Sequence, residues 1–358
     1  MIIMSIKPKF LATGIGSMPF TDTEHAIDVS LKCMNESPIW PQLPKFGLHE
    51  QMEIQYSEGM PNAVIDEAKH RMYFDTSKDY SESFAGFYEA YMTAMEGDGD
   101  CSAMAISPEF SKGLYAMENR LKSKNIKLPF VKVQVTGPCS FALTLVDENK
   151  RAIYYNEEFR DMIVKALAMK ARWQIQKFKP YTTQGIICFI DEPILSAFGS
   201  STYVSVKRED VVAILNEVIT AVHMDGGIAG IHCCGNTEWS ILIDAGIDIV
   251  NFDAFEFGET IAMYADSVKA HLARGGMLAW GVIPTSVKIR EQSVDSLCKQ
   301  LEKVMDHLAS RGIDKKVIAE QALITPSCGT GSMDPADAEK VFEMLAGVSK
   351  AMKAKYGF

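Results

Sequence analysis

Short apolar runs alternate along this chain with longer amphipathic stretches. Nine runs read as strands: residues 11–15, 53–56, 102–106, 131–136, 185–190, 228–231, 247–252, 277–282 and 322–325. Most are continuously apolar, the mark of strands covered on both faces. Between them lie helical patterns over residues 157–177, 208–224, 294–310 and 335–353. The last opens with Asp334 as N-cap and Pro335 at the first helical position, where a missing N–H costs nothing. Strands alternating with helices imply a parallel sheet with right-handed crossovers, and eight such units close a TIM (β/α)8 barrel. The surplus strand falls in residues 34–99, whose Pro, Met and aromatic side chains break the rhythm. The expectation is therefore an α/β fold: one barrel domain over residues 1–358, with an N-terminal insertion or hairpin at about 34–99. A doubly wound open sheet is the alternative.

Composition narrows the function classes. The chain has 358 residues, 47% hydrophobic and 23% charged, enough apolar material for a full core. A formal net charge of −10 argues against a grip on nucleic acid. No apolar stretch reaches the roughly 18 residues that span a bilayer, and the apolar run within residues 1–10 is short for an export signal. The expectation is a cytoplasmic protein that binds neither nucleic acid nor membrane. Of its eight cysteines, Cys101, Cys188, Cys233 and Cys234 sit in or at the ends of apolar runs and then read as reduced core residues or metal ligands more readily than as disulfides.

Catalytic groups of a barrel collect at the C-terminal ends of its strands. Those ends read Gly14-Ile15-Gly16-Ser17, Thr136-Gly137-Pro138, Asp191-Glu192-Pro193, His232-Cys233-Cys234, Asp253, Gly281 and Ser327-Cys328-Gly329. In extended backbone residues i and i+2 share a side, so His232 and Cys234 aim together into the mouth and Cys233 turns away. Cys328 would reach the same point from the last strand. One imidazole and two thiolates suit Zn²⁺; the plainer alternative is three buried core residues. Asp253 or Glu256 could add a fourth donor, with Asp253 preferred because a strand end fixes its direction. Asp191 and Glu192 follow a buried run and need a ligand, or failing that a capped turn. Gly14, Gly16 and Ser17 offer a turn able to hold a carboxylate, but not a full dinucleotide fingerprint. Glu58 is a further acid, functional or merely solvated.

In their order and strand context these motifs resemble the C-terminal catalytic barrel of cobalamin-independent methionine synthase. That barrel falls within the uroporphyrinogen decarboxylase-like superfamily, which includes methylcobamide:thiol methyltransferases. The resemblance runs from about Phe10 to the C-terminus. It implies that His232, Cys234 and Cys328 ligate zinc, with Asp253 as the acidic ligand. It also implies that Asp191 holds the amino group of homocysteine, that Gly16 and Ser17 contact its carboxylate, and that Glu58 is a second acid near the amine.

Three departures bear on the methyl donor. The chain is about half the length of the bacterial and plant enzyme, so the expectation is a form without the duplicated N-terminal barrel. Thr144 stands where the family stacks a Trp on folate, and Ile283-Pro284-Thr285 stands where it carries a His proposed as proton donor. A methylated folate leaves as a poor amine anion unless a general acid protonates it, whereas a methylated corrinoid leaves as Co(I) and needs no proton. The expectation is a zinc-dependent thiol S-methyltransferase acting on homocysteine or a similar small thiol, with a methylated corrinoid protein as partner. The alternatives are transfer to another thiol such as coenzyme M, porphyrinogen decarboxylation, and a non-catalytic zinc- or corrinoid-binding protein.

Overall fold

The computed structural model describes residues 6–96 and 99–358. Residues 1–5 and 97–98, which carry part of the export-signal reading and part of the expected insertion, lie outside the described residues. The described residues form nine strands: β1 Leu11–Ala12, β2 Ala63–Asp66, β3 Arg71–Phe74, β4 Leu128–Thr136, β5 Thr182–Asp191, β6 Ile228–Cys233, β7 Ile249–Phe252, β8 Met277–Ile283 and β9 Ala322–Pro326. Seven form one curled parallel sheet in the order β1-β9-β8-β7-β6-β5-β4, while β2 and β3 make a separate antiparallel hairpin. No helix among the described residues is long and apolar enough to cross a membrane.

Alternation along the strands sorts side chains onto two faces. Val131, Val133 and Val135 of β4 join the larger apolar cluster, together with Phe159, Leu215, Leu301 and Leu345 of the outer helices Glu157–Phe178, Arg208–Met224, Val294–Ala309 and Pro335–Tyr356. The inner face forms a second cluster, with Leu11, Phe130, Phe189, Ile249, Met277 and Leu323 among its members. These six come from six different strands, so the sheet has curled until its inner side chains meet. This is the arrangement of a TIM-like fold.

The two edges of the sheet are joined by an irregular segment. The Phe130 and Lys132 amides donate to Glu36 O and Pro38 O, each at 2.9 Å, and Ile39 bridges Lys132 in parallel. At its other end Gln42 bridges Ser17, with the Met18 amide donating to Gln42 O at 2.8 Å. Pro38 and Pro41 have no N–H to give, which accounts for two isolated bridges in place of a regular ladder. Part of the stretch read as an insertion thus lies against the sheet.

Two expected strands are corrected. Residues 53–56 lie in the helix Met52–Ser57, where Ile54, Gln55, Tyr56 and Ser57 are all buried, polar and apolar alike, so that their alternation does not mark two faces of a strand. Residues 102–106 contain a turn of 3-10 helix, Ser102–Met104, tied down as Asp100 Oδ1 accepts from the Ser102 amide at 2.8 Å. The other seven expected runs all fall on the parallel sheet.

Register places the chemistry. Thr136 pairs with Asp191, Asp191 with His232, His232 with Asn251, and Asn251 with Ala279. One row across five strands therefore carries Asp191, His232 and Asn251 side by side. Phe189 and Ile249, two residues earlier on their strands, belong to the inner cluster, so this row faces inward as well.

Candidate metal centre and substrate pocket

A cavity of about 460 Å³ opens at the C-terminal end of the sheet, lined by Gly16, Ser17, Gln42, Glu50, Asp191, His232, Cys234 and Cys328, among others. At its base a ring nitrogen of His232 and the Sγ atoms of Cys234 and Cys328 lie within 4.8 Å of one another. A tetrahedral zinc holds its donors roughly 3.5 Å apart, so this span is of the size that one ion draws together. Period-two alternation puts His232 and Cys234 on the same side. Cys233 is buried and turned away, its Sγ 3.6 Å from Gly235 O.

Cys328 arrives from a loop pinned at both ends. The Ser327 amide donates to Ile283 O at 2.8 Å, and the Ser327 hydroxyl accepts from the Thr285 amide at 3.2 Å. Beyond the cysteine, the Thr330 amide and hydroxyl both donate to Ser17 O at 2.9 Å, and the Gly331 amide donates to Ser17 Oγ at 3.2 Å. A Cβ at Gly329 would run into Ser17 Oγ. The glycines of this loop let it pack on the Gly16-Ser17 turn, which brings Cys328 over the pocket.

The donor set fits a soft divalent ion. His232 is 3% exposed; its Nδ1 is 2.6 Å from Asn251 Oδ1, and its Nε2 has no hydrogen-bond partner. A buried nitrogen without a partner is costly unless something else occupies it. The thiols titrate with the ring. A hydrogen bond from Cys328 and the neighbouring His232 draw Cys234 down to about 4, and sharing with Cys234 pushes Cys328 up. Burial alone would pull the His232 ring down, but Cys234 and Asp191 outweigh it and raise the ring. The pair thus favours the thiolate at Cys234 over Cys328.

Asp191 is 9% exposed, and its Oδ1 has no partner. Burial pushes its carboxyl up, while Lys132 and His232 work the other way. Lys132 is fully buried beneath the pocket. It donates to Ile15 O and to Gln134 Oε1, and sits 4.7 Å from the centroid of the Phe189 ring. Burial draws its ammonium down to about 8, with Asp191 opposing.

Glu192 has a structural task. Its carboxylate accepts from the Cys139 and Ser140 amides at 2.9 and 2.7 Å and from the Ser140 hydroxyl at 2.7 Å, capping the helix Pro138–Thr144. A Cβ at Gly137 would overlap this side chain, which explains the glycine of Thr136-Gly137-Pro138.

Three expected residues are placed elsewhere. Asp253 is not part of the three-residue donor group; its Oδ1 accepts from the Phe255 and Glu256 amides, both at 2.9 Å. Burial pushes that carboxyl up to about 6 against those two bonds. Glu256 is paired with Lys288 at 2.6 Å. Glu58 accepts from the Ser107 amide at 2.7 Å and does not line the cavity.

Sequence reasoning missed Asn251, Lys132, Gln42 and Glu50. Lys132, Gln134 and Thr136 alternate with three valines in one run, a sign that the inner face of that strand is polar. Glu50 carried no such sign. It is 1% exposed, and its oxygens accept from the Lys112 and Leu43 amides at 2.7 and 3.3 Å.

No protein-family model and no curated protein matches the sequence. Solved structures do share its fold. A methyltransferase from Methanosarcina mazei superposes with a TM-score of 0.53 at 12% identity, covering 94% of this chain and 86% of that one. A Listeria monocytogenes protein described as a candidate vitamin B12-independent methionine synthase superposes with a TM-score of 0.56 at 11% identity, covering 96% and 97%. At these identities the likeness is one of fold.

Proposed function

We propose that this chain is a zinc-dependent methyltransferase that moves a methyl group onto a small thiol. Homocysteine is the favoured acceptor and a methylated corrinoid protein the donor. We read it as one TIM-type barrel domain with an insertion, working in the cytoplasm. The observation that carries the reading is the base of the pocket, where the unpartnered Nε2 of His232 faces Cys234 and Cys328.

In this reading His232, Cys234 and Cys328 hold the metal, which supplies a thiolate at neutral pH from a thiol whose ordinary pKa is near 8.5. The remaining work belongs to the chain. Asp191, with one oxygen free, receives the substrate ammonium. The Gly16-Ser17 turn on the facing wall takes the carboxylate. Orientation of the sulfur toward an incoming methyl carbon then does much of the catalysis. Asp253 would complete the metal's ligands only by leaving its own turn. A thiol without an amine is the second reading, favoured by the position of Glu58 away from the cavity.

The test is methyl transfer from methylcobalamin to homocysteine by the purified protein, with and without a zinc chelator. Methionine formation that the chelator abolishes and added zinc restores is expected. Transfer unaffected by complete metal removal would end the zinc reading, and no transfer to any thiol would end the enzymatic one.

A further inference from the structure

A residue that does not line the pocket stands behind one that does. Asn251 of β7 is fully buried and sits beside His232 in the inward-facing row. All three of its polar contacts stay within the sheet. Its Nδ2 donates to Ala279 O at 2.9 Å on β8 and to Thr325 Oγ1 at 2.8 Å on β9. Its Oδ1 lies 2.6 Å from His232 Nδ1 on β6.

These contacts decide which end of the amide faces the ring. Ala279 O is a carbonyl and can only accept, so the amide atom beside it must be the NH₂ group. The oxygen is left to face His232. An amide oxygen can only accept, so Nδ1 of the ring must be the atom that carries the proton. In a neutral imidazole one nitrogen is then the donor and the other offers its lone pair. That other nitrogen is Nε2, the buried atom without a protein partner.

We infer that Asn251 is a positioning residue: anchored by Ala279 and Thr325, it fixes His232 as its Nδ1–H tautomer and reserves Nε2 for the metal. The inference rests on the metal-binding part of the proposed function and goes beyond it. Four strands cooperate in the device: β8 and β9 set the amide on β7, the amide sets the ring on β6, and the ring presents one lone pair beside the two sulfurs. Partners of this kind typically change metal affinity by about 10- to 100-fold when removed.

The test needs no turnover. Long-range proton–nitrogen NMR on zinc-loaded protein with labelled histidine should show His232 protonated at Nδ1 and bound through Nε2. If zinc does not bind, the same tautomer should appear in the metal-free protein at alkaline pH, where the ring is neutral. A ring protonated at Nε2 in either state overturns the inference. Chelator competition on Asn251→Leu, with folding checked by circular dichroism, should show zinc binding weakened about 10- to 100-fold. Thr325→Val, which removes one anchor and leaves the amide, should show a smaller loss. A folded Asn251→Leu with wild-type zinc affinity sinks the inference, and if that variant does not fold, the tautomer of the unaltered protein still decides. Tight zinc binding through Nε2 without methyl transfer would sink the proposed function and leave this inference standing.

Discussion

A buried carboxylate oxygen without a partner costs about 1–3 kcal/mol, and Asp191 Oδ1 is such an atom. If it receives a substrate ammonium, Asp191→Asn removes a charge-assisted bond worth about 1.5–3 kcal/mol. Homocysteine turnover, as kcat/KM, should then fall roughly 10- to 100-fold. A thiol lacking an amine should be much less affected, and equal losses for both would make Asp191 a structural residue. Cys328→Ser should lose zinc and activity together, because a hydroxyl does not replace a thiolate on a soft ion. Metal analysis of the folded variant checks this, and full zinc occupancy with normal turnover would refute it. That Asp191, His232, Cys234 and Cys328 share one cavity was legible from strand ends and period-two spacing. The orientation of Asp253 was not, since a carboxylate at a strand end can turn to its own backbone amides, as Oδ1 does here.

Helix and strand ends show a different economy. Glu192 on the segment after β5 caps the helix Pro138–Thr144 from a buried position, and burial raises its carboxyl from the ordinary 4.5 to about 7. Its folded form therefore binds more protons than its unfolded form between those values. That contribution to stability is complete below about 4.5 and is lost as pH rises through about 7. Glu192→Gln should flatten the fall in urea midpoint across this window relative to the parent protein. Identical slopes would mean that the carboxyl titrates alike in both states. Gly137→Ala should destabilise by about 1–3 kcal/mol, since the added methyl overlaps the Glu192 side chain. Thermal and urea unfolding measure it, and an unchanged midpoint would show that the cap moves freely. The Asp-Glu pair after this strand thus divides in two: Asp191 lines the cavity and Glu192 serves the fold.

Over the whole molecule, the histidines bear on the methyl donor. Among the described residues, His232 is the one histidine lining the cavity. His271 is bonded to Met277 O at the start of β8, the end of the sheet opposite the pocket, and His307 lies on the helix Val294–Ala309. If His232 is committed to a metal, no other imidazole among the described residues lines the cavity to protonate a departing folate amine, and losing a general acid typically costs 10²–10⁴-fold in rate. With zinc-loaded protein, methylcobalamin should support transfer to homocysteine at concentrations where methyltetrahydrofolate gives little or none. Rapid folate-dependent turnover without any corrinoid would show that another group delivers the proton.

Seven of the nine expected strands lie on the parallel sheet, because strands covered on both faces leave continuous apolar runs that need no partner to be recognised. The runs at 53–56 and 102–106 were misread since four or five residues are too few to separate a strand from a buried helical turn. The convergence of His232, Cys234 and Cys328 was readable too, because these residues sit at fixed offsets from strand ends. What only tertiary structure decided depends on lateral register and on contacts between distant segments. Register set Asn251 beside His232, and burial beneath the pocket brought Lys132 into the field of Asp191. The turn at Ser17 received a loop more than three hundred residues away. A linear pattern records which face a residue takes, but not which neighbour it meets there, and the neighbour determines whether a polar side chain caps, anchors or binds.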